Sequence, residues 1–196
     1  MESAKAVEAI GATVQRGANH IEGGLAVGRF HAECRGPDGA LKWEDDFDNT
    51  VMNEGKNYML TTALKTNQAA VVGPYLGLIS SVSYASVPVV GDTMASHATW
   101  VEAGTTNAPQ WTTPASGARG SPTLAAASSG SIAFSTAVVF TISTSGTVKG
   151  CFLVYGLGAV TTNLNTSGSL WSAGLFSADK VVSAADTISV SYSTAL

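Results

Sequence analysis

Apolar and polar residues alternate with the two-residue period of a half-buried strand along several stretches of this chain. Phe30, Ala32 and Cys34 alternate with Arg29, His31 and Glu33. Gly36-Pro37-Asp38-Gly39 follows, with Pro second and Gly last, the pattern of a type I turn. Leu41, Trp43 and Phe47 return with the same period, interrupted at Asp45, so a hairpin is expected here. Tyr75–Ile79 is an unbroken apolar run, as in a central strand. Ile132, Phe134, Val138, Phe140 and Ile142 alternate with small or polar residues. Ser145-Gly146 then suggests a turn from which Val148–Tyr155 pairs back. Leu170–Phe176 and the faultless alternation Thr187–Ser193 complete the strands. The interior helix expected from spacing is Asn53–Lys65, with Tyr58, Met59, Thr62 and Ala63 on one side.

Residues 1–22 read as an arm or short helix, with Val7, Ile10 and Val14 at 3–4 spacing and Gly11 and Gly17 weakening it. Residues 23–196 form one domain with no internal repeat. Pro109, Pro114 and Pro122 lie in a Gly-, Ser- and Thr-rich stretch at about 104–130, read as a long surface excursion. Short strands punctuated by turns, with one helix, predict a mainly β fold: an immunoglobulin-like or jelly-roll β-sandwich.

Charge changes the picture. Ala, Ser, Thr and Gly together supply 93 of 196 residues, and charged residues only 12%. Residues 1–60 hold 6 of the 10 basic and 10 of the 14 acidic groups, leaving eight charges for the rest of the chain. A surface so poor in charge suits either a hydroxyl-rich β-domain or a subunit held at fixed positions in an assembly. A net charge of −4 argues against nucleic acid or an anionic membrane as partner. No apolar run is long enough to span a bilayer and no signal peptide is recognisable, so a soluble protein is expected. Cys34 and Cys151 each sit among strand residues and read as buried, reduced thiols, one bridge between strands being the alternative.

Catalytic patterns do not emerge. No G-x-S-x-G elbow and no paired metal-ligand histidines occur among His20, His31 and His97. His97 could bond Asp92 and act as a base, but packing on Trp100 is the expected state. The run Glu44-Asp45-Asp46-Phe47-Asp48 could attract a hard cation, but it lacks a calcium loop's glycine and distal glutamate. A solvated or partner-facing strand end is expected instead, with no metal and no cofactor. Trp100 and Trp111 flank a loop where they could stack on sugar rings, or they pack inside.

Several segments carry a resemblance. In order they are Glu33-Cys34-Arg35 through Asp38-Gly39 to Leu41-Lys42-Trp43, Asn53–Asn57, Tyr75–Ile79 with Gly91–Met94, Val148–Val154, and Leu170–Phe176. Across roughly residues 27–193 the chain resembles a family of small structural proteins of tailed bacteriophages, several of which are cement (decoration) proteins on the head. The resemblance implies a virion component with an immunoglobulin-like fold and no enzymatic activity. The expected function is a cement protein on the outer surface of the head, partnered by the major capsid protein and by its own copies, as a trimer. A tail or fibre-adaptor subunit and a host-glycan-binding domain are the alternatives. The expected docking residues are Val7, Ile10 and Val14 as an apolar anchor, with Asp38, Glu44, Asp45, Asp46 and Asp48 as an exposed, mostly negative surface that sets register.

Overall fold

The structure, a computed structural model, describes residues 26–65 and 71–195. The arm positions Val7, Ile10 and Val14 lie outside the described residues. The elements in chain order are β1 (Val27–Arg35), β2 (Leu41–Val51), α1 (Asn53–Leu64), β3 (Tyr75–Ser80), β4 (Gln110–Thr113), β5 (Ser131–Ala133), β6 (Val138–Thr144), β7 (Gly146–Tyr155), β8 (Ser169–Val182) and β9 (Thr187–Ala195). All strand pairs are antiparallel. The order across the sheet is β3-β7-β8-β2-β1-β9-β6-β4, with β5 added beside β9. The fold is mainly β, as expected.

The sheet curls because β2 belongs to both of its parts. Residues up to Asp48 pair with β1, whereas Asn49–Val51 pair with β8. The inward residues of β1, β6 and β9 then share one cluster with those of β3, β7 and β8. Phe30 stacks on Phe47 at 5.3 Å between ring centroids and meets Tyr192 at 4.8 Å, while Phe47 meets Phe176 edge-on at 4.8 Å. A second cluster covers the opposite face of β7, built from Phe152, Val154, Ile79, Met94, Trp100 and Met52 with smaller neighbours. Buried on both faces, β7 cannot alternate, which accounts for the unbroken run Cys151-Phe152-Leu153-Val154.

The hairpin forms as read. Gly39 N–H donates to Gly36 C=O at 2.9 Å, and Asp38 Oδ1 accepts from Ala40 N–H at 3.0 Å. Gly39 has φ +80°, which a residue without Cβ adopts freely. The helix also stands where its spacing placed it.

Four expectations need correction. The run Tyr75–Ile79 is the end strand of the sheet rather than a central one; clusters on both faces bury it, and bridges from Gly120 and Glu102 cover its free edge. β7 does not pair back on β6: at Ser145 the chain crosses to the other part of the sheet, where β7 joins β3 and β8. The period of β2 is not broken at Asp45, which occupies an inward position between Trp43 and Phe47, while Leu41 is exposed. Segment 104–130 is not simply a surface excursion. It contributes β4, drops Trp111 into the core and buries Arg119.

Candidate docking surfaces

The charged positions lie on the outward face of the hairpin. Inward side chains of β1 belong to the core, so Arg29, His31, Glu33 and Arg35 turn outward opposite Glu44, Asp46 and Asp48 of β2. Register pairs Arg29 with Asp48, His31 with Asp46, and Glu33 with Glu44. Arg29 lies 3.5 Å from Asp46 and 3.8 Å from Asp48; the His31 ring nitrogens lie 3.4 Å from Asp46 and 3.8 Å from Glu44. Arg35 grips Glu33 at 3.0 Å and holds that carboxyl below its ordinary range, chiefly through their hydrogen bond. The face is therefore a band of charge pairs, those of Arg29 and His31 reaching across to β2 and that of Arg35 with Glu33 lying within β1, with four carboxylates against two guanidinium groups. His31, Glu44 and Asp46 could together reach one cation, but Arg29 already shares Asp46 and all three side chains are solvent-exposed or half-exposed.

Asp45 is not part of that surface. Only 9% exposed, it accepts hydrogen bonds from Ser177 N–H and Oγ–H at 2.9 and 2.7 Å and pairs with Lys180 Nζ at 2.9 Å. Burial alone would raise its pKa, but the bonds from Lys180 and Ser177 outweigh that and hold it below the usual carboxylate range. Lys180 Nζ also stands 5.6 Å from the centre of the Trp43 ring. Asp38 is exposed at the hairpin tip.

Most of the sparse charges of the remaining chain are held by other groups of the chain, several of them buried. Arg119 and Glu102, 1% and 2% exposed, form a two-pronged ion pair at 2.8 and 2.9 Å. Arg119 further donates to the carbonyls of Val160 and Asn165, and Glu102 accepts from Leu164 N–H. Asp186 accepts from Lys42 and from Ser183 N–H; these contacts overcome a burial that would raise its pKa, and lower it. Lys149 pairs with Asp179, and Asp92 accepts from Trp100 Nε1 at 2.9 Å. Among the described residues, seven of the eight charges after residue 60 thus have a partner within the chain. Sequence reasoning missed the Glu102–Arg119 pair, because the two lie seventeen positions apart and Arg119 falls in the stretch read as a surface excursion.

His97 stacks on Trp100, with ring centroids 4.0 Å apart, and its Nδ1 lies 3.0 Å from Trp100 C=O; Asp92 bonds the indole instead. Trp100 and Trp111 are 0% and 1% exposed, so neither offers a ring to a sugar. Cys34 and Cys151 are buried and free, as expected. Burial, with Asp186 nearby, pushes the Cys34 thiol up to about 11, and burial alone raises Cys151 as well.

A second surface was legible in the sequence only as one side of the helix. Between α1 and the edge formed by β5 and the end of β9 lies a groove of about 420 Å³ with no charged side chain on its walls among the described residues. Tyr58, Met59, Thr62 and Ala63 form one wall, Ile132 and Thr194 belong to the other, and Tyr155 and Trp171 close the floor. The helix stands off the sheet because it touches β8 through Gly55 alone among its fully buried residues; a Cβ there would lie 2.6 Å from Trp171 C=O. Glu54 ties it down further, accepting from Leu170 N–H at 2.6 Å and Met94 N–H at 3.2 Å. Comparison with protein-family models, curated proteins and solved structures finds no match to this chain.

Proposed function

We propose that this protein is a virion structural subunit that works by docking, and specifically a cement protein on the outer surface of a tailed-phage head. The observation that carries the reading is the use made of charge after residue 60: among the described residues seven of eight charged groups are held by partners within the chain, with Asp179 and Lys65 still exposed, which leaves most of the outside of that region to hydroxyls and apolar groups. Such a surface suits many shallow contacts with neighbouring capsomers. The band of charge pairs on the hairpin adds fixed charges of both signs, which select register more than they add affinity. The resemblance across residues 27–193 supports the same reading. The finer fold that goes with it is an immunoglobulin-like β-sandwich, with β3, β7 and β8 facing β1, β9 and β6 across the shared core. Its partners are the major capsid protein and its own copies.

Heads assembled without this protein provide the test. Purified full-length chain added back should bind them in numbers comparable to the major capsid protein and raise the temperature at which they rupture. Incorporation into tails only, or at a single ring per particle, would place the protein in a tail or fibre adaptor instead.

A further inference from the structure

We propose that the depression on the other flank of α1 is a binding site for a neutral sugar. It measures about 460 Å³, within the roughly 300–1,000 Å³ of small-ligand sites. Asn53, Asn57 and Thr61 recur at every fourth position, share one side of the helix and line the depression together. Gly91 and Thr93, from the loop after β3, and Ser169 at the start of β8 complete the lining. The apolar groove takes Met59, Thr62 and Ala63 from a different side of α1, with Val71 beside them, and shares only Tyr58 with this depression.

The walls are tied to one another. Asn53 N–H donates to Val90 C=O at 2.9 Å, which holds the loop on the first turn of the helix. Glu54 accepts from Leu170 N–H and Met94 N–H through a single oxygen, so the carboxylate is fixed by both β8 and the loop and its second oxygen is left to accept from a ligand. Beside Thr93, Asp92 is held from below by Trp100 Nε1 at 2.9 Å and Val89 N–H at 3.1 Å. A site anchored in this way is organised before its ligand arrives.

The lining selects the ligand. The exposed carboxamides of Asn53 and Asn57 and the hydroxyls of Thr61, Thr93 and Ser169 set donors and acceptors side by side. The hydroxyls of a pyranose ring, each both donor and acceptor, match that array. The ring of Tyr58 lies against Gly156, where an added Cβ would come within 2.9 Å of it, and supplies an apolar surface for the C–H face of a sugar. It takes the part that the buried Trp100 and Trp111 cannot play. Among the described residues no lysine, arginine or histidine lines the depression, so an anion would meet the Glu54 carboxylate without a counter-charge. The site shares no residue with the hairpin face, and either assignment can fail without the other.

Titration of the isotope-labelled full-length chain with methyl β-galactopyranoside, methyl α-glucopyranoside and N-acetylglucosamine, followed by NMR, tests the proposal. At least one of the three should bind with a millimolar Kd and move the side-chain amide signals of Asn53 and Asn57 together with the backbone signals of Thr93 and Ser169. Asn57→Ala places a better helix former at an exposed helical position and should keep the fold. It should weaken binding about tenfold, as the loss of a paired amide implies. Leu60→Ala, on the same helix but outside the depression, should leave the affinity unchanged. No shifts with any of the three sugars, shifts confined to other residues, or an unchanged affinity in Asn57→Ala would each overturn the site. Tighter binding of N-acetylneuraminic acid than of the neutral sugars would overturn the ligand class.

Discussion

Glu102 and Arg119 meet where neither can reach water, and removal of either strands the other. Arg119→Met should therefore cost about 3–5 kcal/mol, as when one member of a buried ion pair is lost. The combined change with Glu102→Leu should recover part of that loss, because no charge is left unpaired; the carbonyls of Val160 and Asn165 and Leu164 N–H remain without partners and keep recovery incomplete. Denaturant unfolding of the two variants measures both effects. Asp45 and Asp186 dictate how stability depends on pH. Each has a folded pKa below its unfolded value, so the stability it contributes is complete above the usual range near ~4 and is lost as pH falls through the lower folded value. Asp45→Asn should be markedly destabilised at neutral pH, and the gap from the parent chain should close as pH falls through the lowered folded pKa. A melting-temperature series across acid pH reads this directly. The thiols offer a simpler check: Cys34 and Cys151 should react with a thiol reagent only as the protein unfolds, and reductant should leave the melting temperature unchanged.

Elements are positioned by close backbone approaches at glycine. Gly150 sits at a register shift between β7 and β8, where an added Cβ would stand 2.0 Å from Gly174 C=O. Gly150→Ala should force the strands apart and cost about 1–3 kcal/mol. Gly55 makes a sharper test because two effects oppose each other. An exposed helix interior gains ~1 kcal/mol when Gly becomes Ala. Here the new methyl would meet the backbone of Trp171 at 2.6 and 2.9 Å, and backbone cannot swing aside. Gly55→Ala should therefore lower the melting temperature, while Thr62→Ala on the same helix should leave it nearly unchanged. A stabilised Gly55→Ala variant would mean that α1 is free to move off β8.

At the scale of the whole molecule, the proposed function assigns docking to the outward hairpin face and the charge-poor, hydroxyl-rich remainder. Glu44→Gln with Asp46→Asn and Asp48→Asn should fold normally, since exposed pairs contribute about 0–1 kcal/mol each. Binding of that variant to undecorated heads should lose its salt sensitivity. Asp45 must stay out of the set, because its replacement tests stability and not docking. Homo-oligomers are closed and symmetric by default, and a trimer suits the three-fold positions where capsomers meet. Sedimentation of the purified chain should show that species, and a monomer at every concentration would exclude it.

Local pattern alone determined the hairpin and its turn, the helix at Asn53–Leu64 and the closing strand β9, because each depends on neighbours within a few positions: a period, a turn glycine, a helical face. The buried thiols and the stacking of His97 on Trp100 were legible for the same reason. Tertiary structure decided what contacts across the sheet decide. Asp45 looks like an interruption until Lys180 and Ser177, more than 130 positions away, arrive beside it. Tyr75–Ile79 reads as a central strand because burial on two faces leaves one signature in sequence, whether the cover is another strand or a loop. The Glu102–Arg119 pair and the crossing at Ser145 have no periodic signal, and the groove beneath α1 has one only on its helical wall. They arise only when the sheet curls and brings distant segments together, and so the surfaces available for docking were settled by packing and not by pattern.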